Sequence, residues 1–231
     1  MAARVLSVDP VTGRKIRRIP SLKLEKIGSA YGGWITPTAL LKEGAVCYCA
    51  GVGEDITFDL GLVSQLGCTV CAFDPTPRAV RYAQHHGRNT PGFRFFPVGL
   101  WDKDEVLRFY APSNPEHVSH SVLNLQRTDE FFEAECRSLP SLMRENGHQR
   151  IDLLKLDIEG AEFKVIDSII ENHLDIGTIA VEYHDAYNPL DEQYGERVRD
   201  SLTNILDYGY SLVAVDDNPC NYTLVRSDLL K

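Results

Sequence analysis

Residues 153–162 read LLKLDIEGAE, and this stretch decides the fold. Leu153, Leu154, Leu156 and Ile158 form an apolar run bounded by polar residues, the pattern of a strand buried on both faces in a parallel sheet. Gly160 breaks the run, and Ala161, Val165 and Ile169 then share one face of a helix expected over 161–170. Asp157 is thereby placed near the carboxyl end of a central strand, where open α/β sheets bind their ligands.

Outward from this unit, strands alternate with helices. Strands are expected at AVCYCA (45–50), TVCAFD (69–74), FRFFPV (93–98), VLRFYA (106–111), 151–158 and TIAVEYH (178–184), with FFEAEC (131–136) a further extended piece. Helices are expected at 56–67, from Pro77 to about His86, at 139–146 and around Val198, Leu202, Ile205 and Leu206. The last strands, 209–217 and 220–226, are joined by a turn at Asn218–Pro219 and suggest an antiparallel edge pair. Residues 1–43 read as a lead-in segment with an amphipathic turn around Leu22–Ile27, and 44–231 as one domain. The fold class is α/β: right-handed βαβ units, a mostly parallel sheet and an antiparallel edge pair, the outline of a Rossmann-like methyltransferase.

Composition narrows the function. A formal net charge of −9 argues against a nucleic-acid partner, and the basic cluster Arg14, Lys15, Arg17, Arg18 is short enough to be a solvated segment. No stretch has the ~18–20 apolar residues of a membrane span. MAARVLSVDP lacks the apolar core of a signal peptide, which predicts a cytoplasmic chain with reduced cysteines. Cys47, Cys49, Cys68 and Cys71 have a zinc-like spacing, but they sit in or beside apolar strands and read as small buried residues.

Gly51 and Gly53 follow the first of these strands, where backbone can approach a ligand and a helix N-terminus offers free N–H groups. The dinucleotide fingerprint needs a third glycine where Ile56 stands. Asp74, at the end of the second strand, suits ribose hydroxyls. Glu54 and Asp55 would repel a pyrophosphate and suit a ligand carrying an amino group and a sulfonium. S-adenosylmethionine is therefore favoured over NAD, the alternative being an NAD-dependent oxidoreductase or a non-catalytic cofactor-binding protein.

VCYCAGVGED (46–55), VCAFDPTP (70–77), VGLWDKD (98–104), IDLLKLDIEGAEFKVID (151–167) and IAVEYH (179–184) follow the order and spacing of the FkbM family of S-adenosylmethionine-dependent methyltransferases. The chain resembles that family over residues 28–226, and YGGWITP (31–37) resembles the GGW segment of its branch related to methyltransferase-like proteins. The resemblance implies a class I methyltransferase fold. It implies Ala50, Gly51, Val52 and Gly53 at the methionine end of the cofactor, Asp74 and its neighbour Pro75 at the ribose, and Gly99, Leu100 and Trp101 around the adenine. The family's first strand ends in an acidic residue two places before the first glycine. Cys49 stands there in this chain, which passes the methionine amino group to Glu54 or Asp55.

Methyl transfer to a hydroxyl needs a base. Asp157 and His184 end neighbouring strands and are the candidates, with Glu159 beside them; Glu182 lies two residues before His184 on the same strand face. As an alternative set below plain hydrogen bonding, Asp157, Glu182 and His184 would hold a divalent metal. Glu162 reads as a complement to a helix dipole, and Lys155 as the partner of a nearby carboxylate. Tyr31, Trp34 and His120 are candidate substrate contacts, the first two as a lid. Oxygen as the methyl acceptor, on a small molecule or sugar, is an implication of the family resemblance. NPCNY (218–222) resembles the N-P-P-Y motif of amino-group DNA methyltransferases but lacks its second proline and lies in a turn between the last strands.

Overall fold

The computed structural model describes residues 7–114, 116–184, 190–216 and 220–231. In chain order the strands and helices are β1 (Leu24–Ile27), β2 (Trp34–Pro37), β3 (Val46–Ala50), α1 (Thr57–Leu66), β4 (Thr69–Phe73), α2 (Pro77–His86) and β5 (Phe93–Phe96). There follow β6 (Gly99–Trp101), β7 (Glu105–Tyr110), β8 (Phe131–Ser138), α3 (Leu139–Asn146), β9 (Ile151–Leu156), α4 (Glu162–Glu171), β10 (Ile176–Glu182), α5 (Tyr194–Asp207), β11 (Tyr210–Val215) and β12 (Asn221–Arg226).

Seven strands form one sheet in the order β11-β12-β10-β9-β3-β4-β5. The strands from β10 to β5 run parallel, while β12 is antiparallel to both β10 and β11. The expected antiparallel edge is therefore present, with β12 seated between β10 and the outermost β11. The expected turn at Asn218–Pro219 lies outside the described residues. From β3 the chain winds outward through β4 and β5 on one side, then resumes on the other with β9 and β10. This reversal splays the connections that leave β3 and β9 and opens a crevice at their carboxyl ends.

Both sheet faces are covered, so the central strands are apolar without alternation. Tyr48, Ala50, Leu154 and Leu156 point into one core layer with α3, α4 and α5, whereas Cys47, Cys49 and Leu153 point into the other with α1. All six cysteines are buried, in keeping with their reading as small buried residues.

Two regions differ from the sequence expectation. The segment read as an amphipathic turn around Leu22–Ile27 contains β1, paired antiparallel to β2. A four-residue strand gains its order from that partner, and its own pattern buries only Ile27. The lead-in also packs on the domain: Tyr222 donates to Asp9 at 3.1 Å, and the Arg17 N–H donates to the Leu212 carbonyl at 2.8 Å. Second, β6, β8 and β7 form a separate three-stranded sheet, which brings Gly99 and Leu100 to the crevice.

The α1 layer holds a strained group. Asp59 is buried, its Oδ1 has no hydrogen-bond partner among the described residues, and burial pushes its carboxyl up to about 6. A carboxyl whose folded-state pKa is raised holds its proton more tightly when folded. Its stabilising contribution is full at low pH and falls as pH rises from about 4 through about 6. Asp59→Asn is expected to remove that loss, on the order of 3 kcal/mol at pH 8. The gain in Tm over the parent, about 6–12 °C, should appear at pH 8 and vanish near pH 4 in thermal melts.

Candidate active site

The crevice is a cavity of about 530 Å³, within the usual range for small-molecule sites. It is walled by the loops after β3, β4, β9 and β10, by Gly99 and Leu100, and by the loop around 116–122.

Its first wall is the glycine loop. Gly51 (φ +80°) and Gly53 (φ +57°) take left-handed backbone conformations. A Cβ on Gly53 would meet only the Val118 Cγ2 at 3.8 Å, so the loop leaves room on the cavity side. Asp74 shapes this loop: its Oδ2 accepts the N–H groups of Val52 and Gly53, each at 2.9 Å, and its Oδ1 accepts the Thr76 N–H at 2.8 Å. The carboxylate expected at the ribose therefore also buckles two strand ends together.

Glu54 and Asp55 both line the cavity, with chain partners of their own. Arg78 holds Glu54 at 2.6 Å and donates to the Glu116 carbonyl at 3.0 Å, linking the two loops that face each other across the cavity. Asp55 accepts from the Thr57 N–H at 2.9 Å and from the Ser29 hydroxyl at 2.5 Å. It ties the start of α1 to the turn between β1 and β2. Cys49, where the family carries an acid, is buried, its thiol pushed up by burial and then by the nearby Asp59, and both lie outside the cavity lining.

The second wall is the end of β9. Lys155 is buried at 6 % exposure, donates to Asp157 Oδ2 at 2.7 Å and to the Gly51 carbonyl, and lies 5.4 Å from the centroid of the Trp34 ring. Burial opposes its charge, but Asp157 and Asp59 outweigh burial and raise its pKa. In turn burial would raise Asp157, but Lys155 and then His184 outweigh it, so Asp157 is held below the usual carboxylate range. Lys155 thus joins the glycine loop to the acidic end of the cavity, a duty beyond the simple ion pair read from sequence.

The turn that follows is conformationally unusual. Glu159 has φ +53°, a left-handed conformation rare outside glycine and concentrated at functional sites. Ser121 donates to its carbonyl at 2.5 Å, and Ser119 hydrogen-bonds its carboxyl. Glu162 is fully buried; it accepts the N–H groups of Ile158 (3.1 Å) and Gly160 (2.9 Å) and faces His184 Nδ1 at 3.1 Å. Its role is therefore to fix this turn and orient the imidazole, more than to complement a dipole.

His184 lies just beyond β10, which ends at Glu182. Its Nε2 is 3.4 Å from both Asp157 Oδ1 and Glu159 Oε1. Burial would lower its pKa, but Glu159, Glu162 and Asp157 outweigh that and raise it well above the usual histidine range. A raised pKa weighs against the base role expected of His184 and favours a charged partner for these carboxylates. Burial, then Asp157, pushes Glu182 up to about 7.

Of the other expected residues, Val52, Pro75, Gly99, Leu100, Tyr31 and His120 line the cavity. Tyr31 is 93 % exposed at the rim, while Trp34, expected beside it in a lid, is a buried wall residue over Lys155. Two expected contacts are absent from the lining. Ala50 is in the core, paired with Phe73 and Leu156 in the sheet; Trp101 turns its indole N–H to Glu105 at 3.1 Å. Phe73, Glu116 and Asn221 are lining residues that the sequence did not mark.

The strand order, the glycine loop and a cavity at the point of sheet reversal define a class I S-adenosylmethionine-dependent methyltransferase domain. The Methyltransferase FkbM domain matches residues 49–212, more than half of the chain, and the chain belongs to that family. It is similar to the probable methyltransferase-like protein 24 of Rattus norvegicus, with 29% identity over 169 residues that cover 72% of this chain and 38% of that protein. The Homo sapiens counterpart is 29% identical over 171 residues, with the same coverage. The chain thus spans well under half the length of these relatives.

Among solved structures, the chain is similar to a Methanococcus jannaschii fibrillarin pre-rRNA processing protein at 13% identity and TM-score 0.45, covering 91% of this chain and 85% of that one. It is also similar to Aeropyrum pernix fibrillarin in complex with S-adenosyl-L-methionine, at 10% identity and TM-score 0.45, covering 90% and 83%. No described helix is long and apolar enough to cross a membrane.

Proposed function

We propose that this chain transfers the methyl group of S-adenosylmethionine to a hydroxyl oxygen of a small molecule or sugar. The observation that carries this reading is the carboxylate cluster Asp157, Glu159 and Glu182 at the end of β9 and β10, directly against the glycine loop in one cavity. The sulfonium supplies an electrophilic methyl carbon, and its C–S electron pair leaves with sulfur as the new C–O bond forms.

The residues present fit that donor. Gly51, Val52 and Gly53 offer close backbone approach, and Leu100 and Phe73 offer apolar surface for a base. Asp157, in the same cavity as the glycine loop, takes the proton of the acceptor hydroxyl as oxygen attacks the methyl group in this reading. Trp34, buried over Lys155, keeps water from that end, and the exposed Tyr31 offers the acceptor an aromatic face at the rim. Lys155 keeps Asp157 ionised and oriented. The net charge of −9 favours an acceptor that is not a nucleic acid.

Incubation with methyl-labelled S-adenosylmethionine over a panel of sugars, phenols and amines tests this. Label is expected on hydroxyl-bearing acceptors, in a form stable to esterase treatment. Label confined to amines would replace oxygen by nitrogen as the acceptor, and tight NAD binding without S-adenosylhomocysteine binding would overturn the methyltransferase reading itself.

A further inference from the structure

The acidic end of the cavity is arranged for more than proton transfer. Donor atoms of Asp157, Glu182 and His184, one from each, lie within 4.8 Å of one another. Ligands ~2.1–2.3 Å from a single ion stand at most about 4.5 Å apart, so these three need only a slight inward movement to share one.

We propose that Asp157, Glu182 and His184 bind a divalent cation of the Mg2+ or Mn2+ kind, whose open positions face the acceptor. The proposal deepens the O-methylation reading and rests on it for the ion's catalytic role.

Three features of the surroundings support a cation over a closed hydrogen-bond network. First, His184 is held as metal-ligating histidines are held. Its Nδ1 faces the fully buried Glu162 at 3.1 Å, and Glu162 is itself fixed by the backbone N–H groups of Ile158 and Gly160. That leaves Nε2 aimed into the cavity. Second, the contacts of Nε2 with Asp157 and Glu159 are both 3.4 Å, well beyond the ~2.7–2.9 Å of a charge-assisted hydrogen bond. The ring nitrogen faces both oxygens at the same distance. Third, Lys155 takes Asp157 Oδ2 at 2.7 Å and leaves Oδ1 on the His184 side.

Charge points the same way. Four carboxylates (Asp157, Glu159, Glu162 and Glu182) crowd around Lys155 and His184. A cation entering between them takes the place of the imidazole proton on Nε2. Glu182 pairs in the β10–β12 ladder with Asn221, which also lines the cavity, so a further oxygen donor stands close by. An ion here would hold the acceptor's oxygen beside the glycine loop and lower the pKa of its hydroxyl.

The test is a Mn2+ titration of the metal-stripped chain, followed by calorimetry and by the electron paramagnetic resonance of free Mn2+. One saturable site is expected, with Mg2+ competing for it. The near-isosteric changes Glu182→Gln and Asp157→Asn are each expected to weaken Mn2+ binding at least about tenfold, with thermal melts confirming that both variants are folded. Glu162→Gln, at a residue that faces the far side of the imidazole and also accepts the N–H groups of Ile158 and Gly160, should weaken it by about 10–100-fold in a chain that melts as the parent does. S-adenosylmethionine binding measured on the same samples separates this proposal from the methyltransferase reading. Absence of saturable Mn2+ binding in a chain that binds S-adenosylmethionine overturns the cation site. So does Mn2+ affinity that is unchanged in all three variants.

Discussion

Asp157→Asn is expected to lower methyl transfer by about 10²–10⁴-fold while leaving S-adenosylmethionine affinity within about tenfold. Asparagine keeps an oxygen for Lys155 but loses the charge and the basicity, so the defect should fall on turnover. Asp157→Ala adds a second defect. It leaves the buried Lys155 with the Gly51 carbonyl as its hydrogen-bond acceptor, and breaking such a buried pair costs about 3–5 kcal/mol. At about 2–4 °C per kcal/mol for a chain of this size, the alanine variant should melt about 6–20 °C below the parent, and the asparagine variant far less. Single-turnover rates, cofactor calorimetry and melts on the two variants separate chemistry from folding. An Asp157→Asn variant that turns over normally would remove Asp157 from the reaction, and one that loses cofactor binding would move it to the cofactor site.

The same comparison shows why LLKLDIEGAE was legible and its surroundings were not. An apolar run ending in a carboxylate and a glycine is a local pattern, and it placed β9, α4 and Asp157 without any knowledge of neighbours. Gly51 and Asp74 were legible for a similar reason, since each lies directly after a strand of unbroken apolar character. The duties of Lys155 and Glu162 were not. They depend on Gly51, 104 residues away from Lys155, and on His184, 22 residues away from Glu162, and no spacing rule carries that information. The hairpin β1–β2 and the short β6 were hidden by brevity, because strands of three or four residues are ordered by their partners, whereas β7 and β8 were legible as strands and only their pairing was not. Trp101 was misplaced for a related reason: alternation along β6 turns Leu100 to the cavity and sends the next side chain elsewhere. His184 was recognised by position, but the carboxylates that face both its ring nitrogens come from distant elements and are a fact of three dimensions.

Gly51→Ala is expected to abolish cofactor binding and to destabilise the chain together, whereas Gly53→Ala should do mainly the first. A Cβ on Gly51 would lie 1.6 Å from the Asp157 carbonyl oxygen and 2.7 Å from its carbonyl carbon. Both are backbone atoms at the end of β9, where the Asp157 N–H donates to the Ala50 carbonyl at 3.2 Å. The clash cannot be relieved by turning a side chain; β3 and β9 must separate. Left-handed backbone adds about 1–2 kcal/mol for alanine, and overpacking typically adds 1–3 kcal/mol or more. The expected fall in Tm is therefore about 4–20 °C, with the Lys155 bond to the Gly51 carbonyl disrupted as well. At Gly53 the added methyl meets only Val118 Cγ2 at 3.8 Å, so the conformational term stands alone and the fall should be about 2–8 °C. That methyl nevertheless adds bulk to a loop that lines the cavity. Calorimetry with S-adenosylmethionine should show affinity reduced at least about tenfold for Gly53→Ala in a folded chain. Unchanged affinity there would mean that the donor lies elsewhere in the cavity, away from the glycine loop.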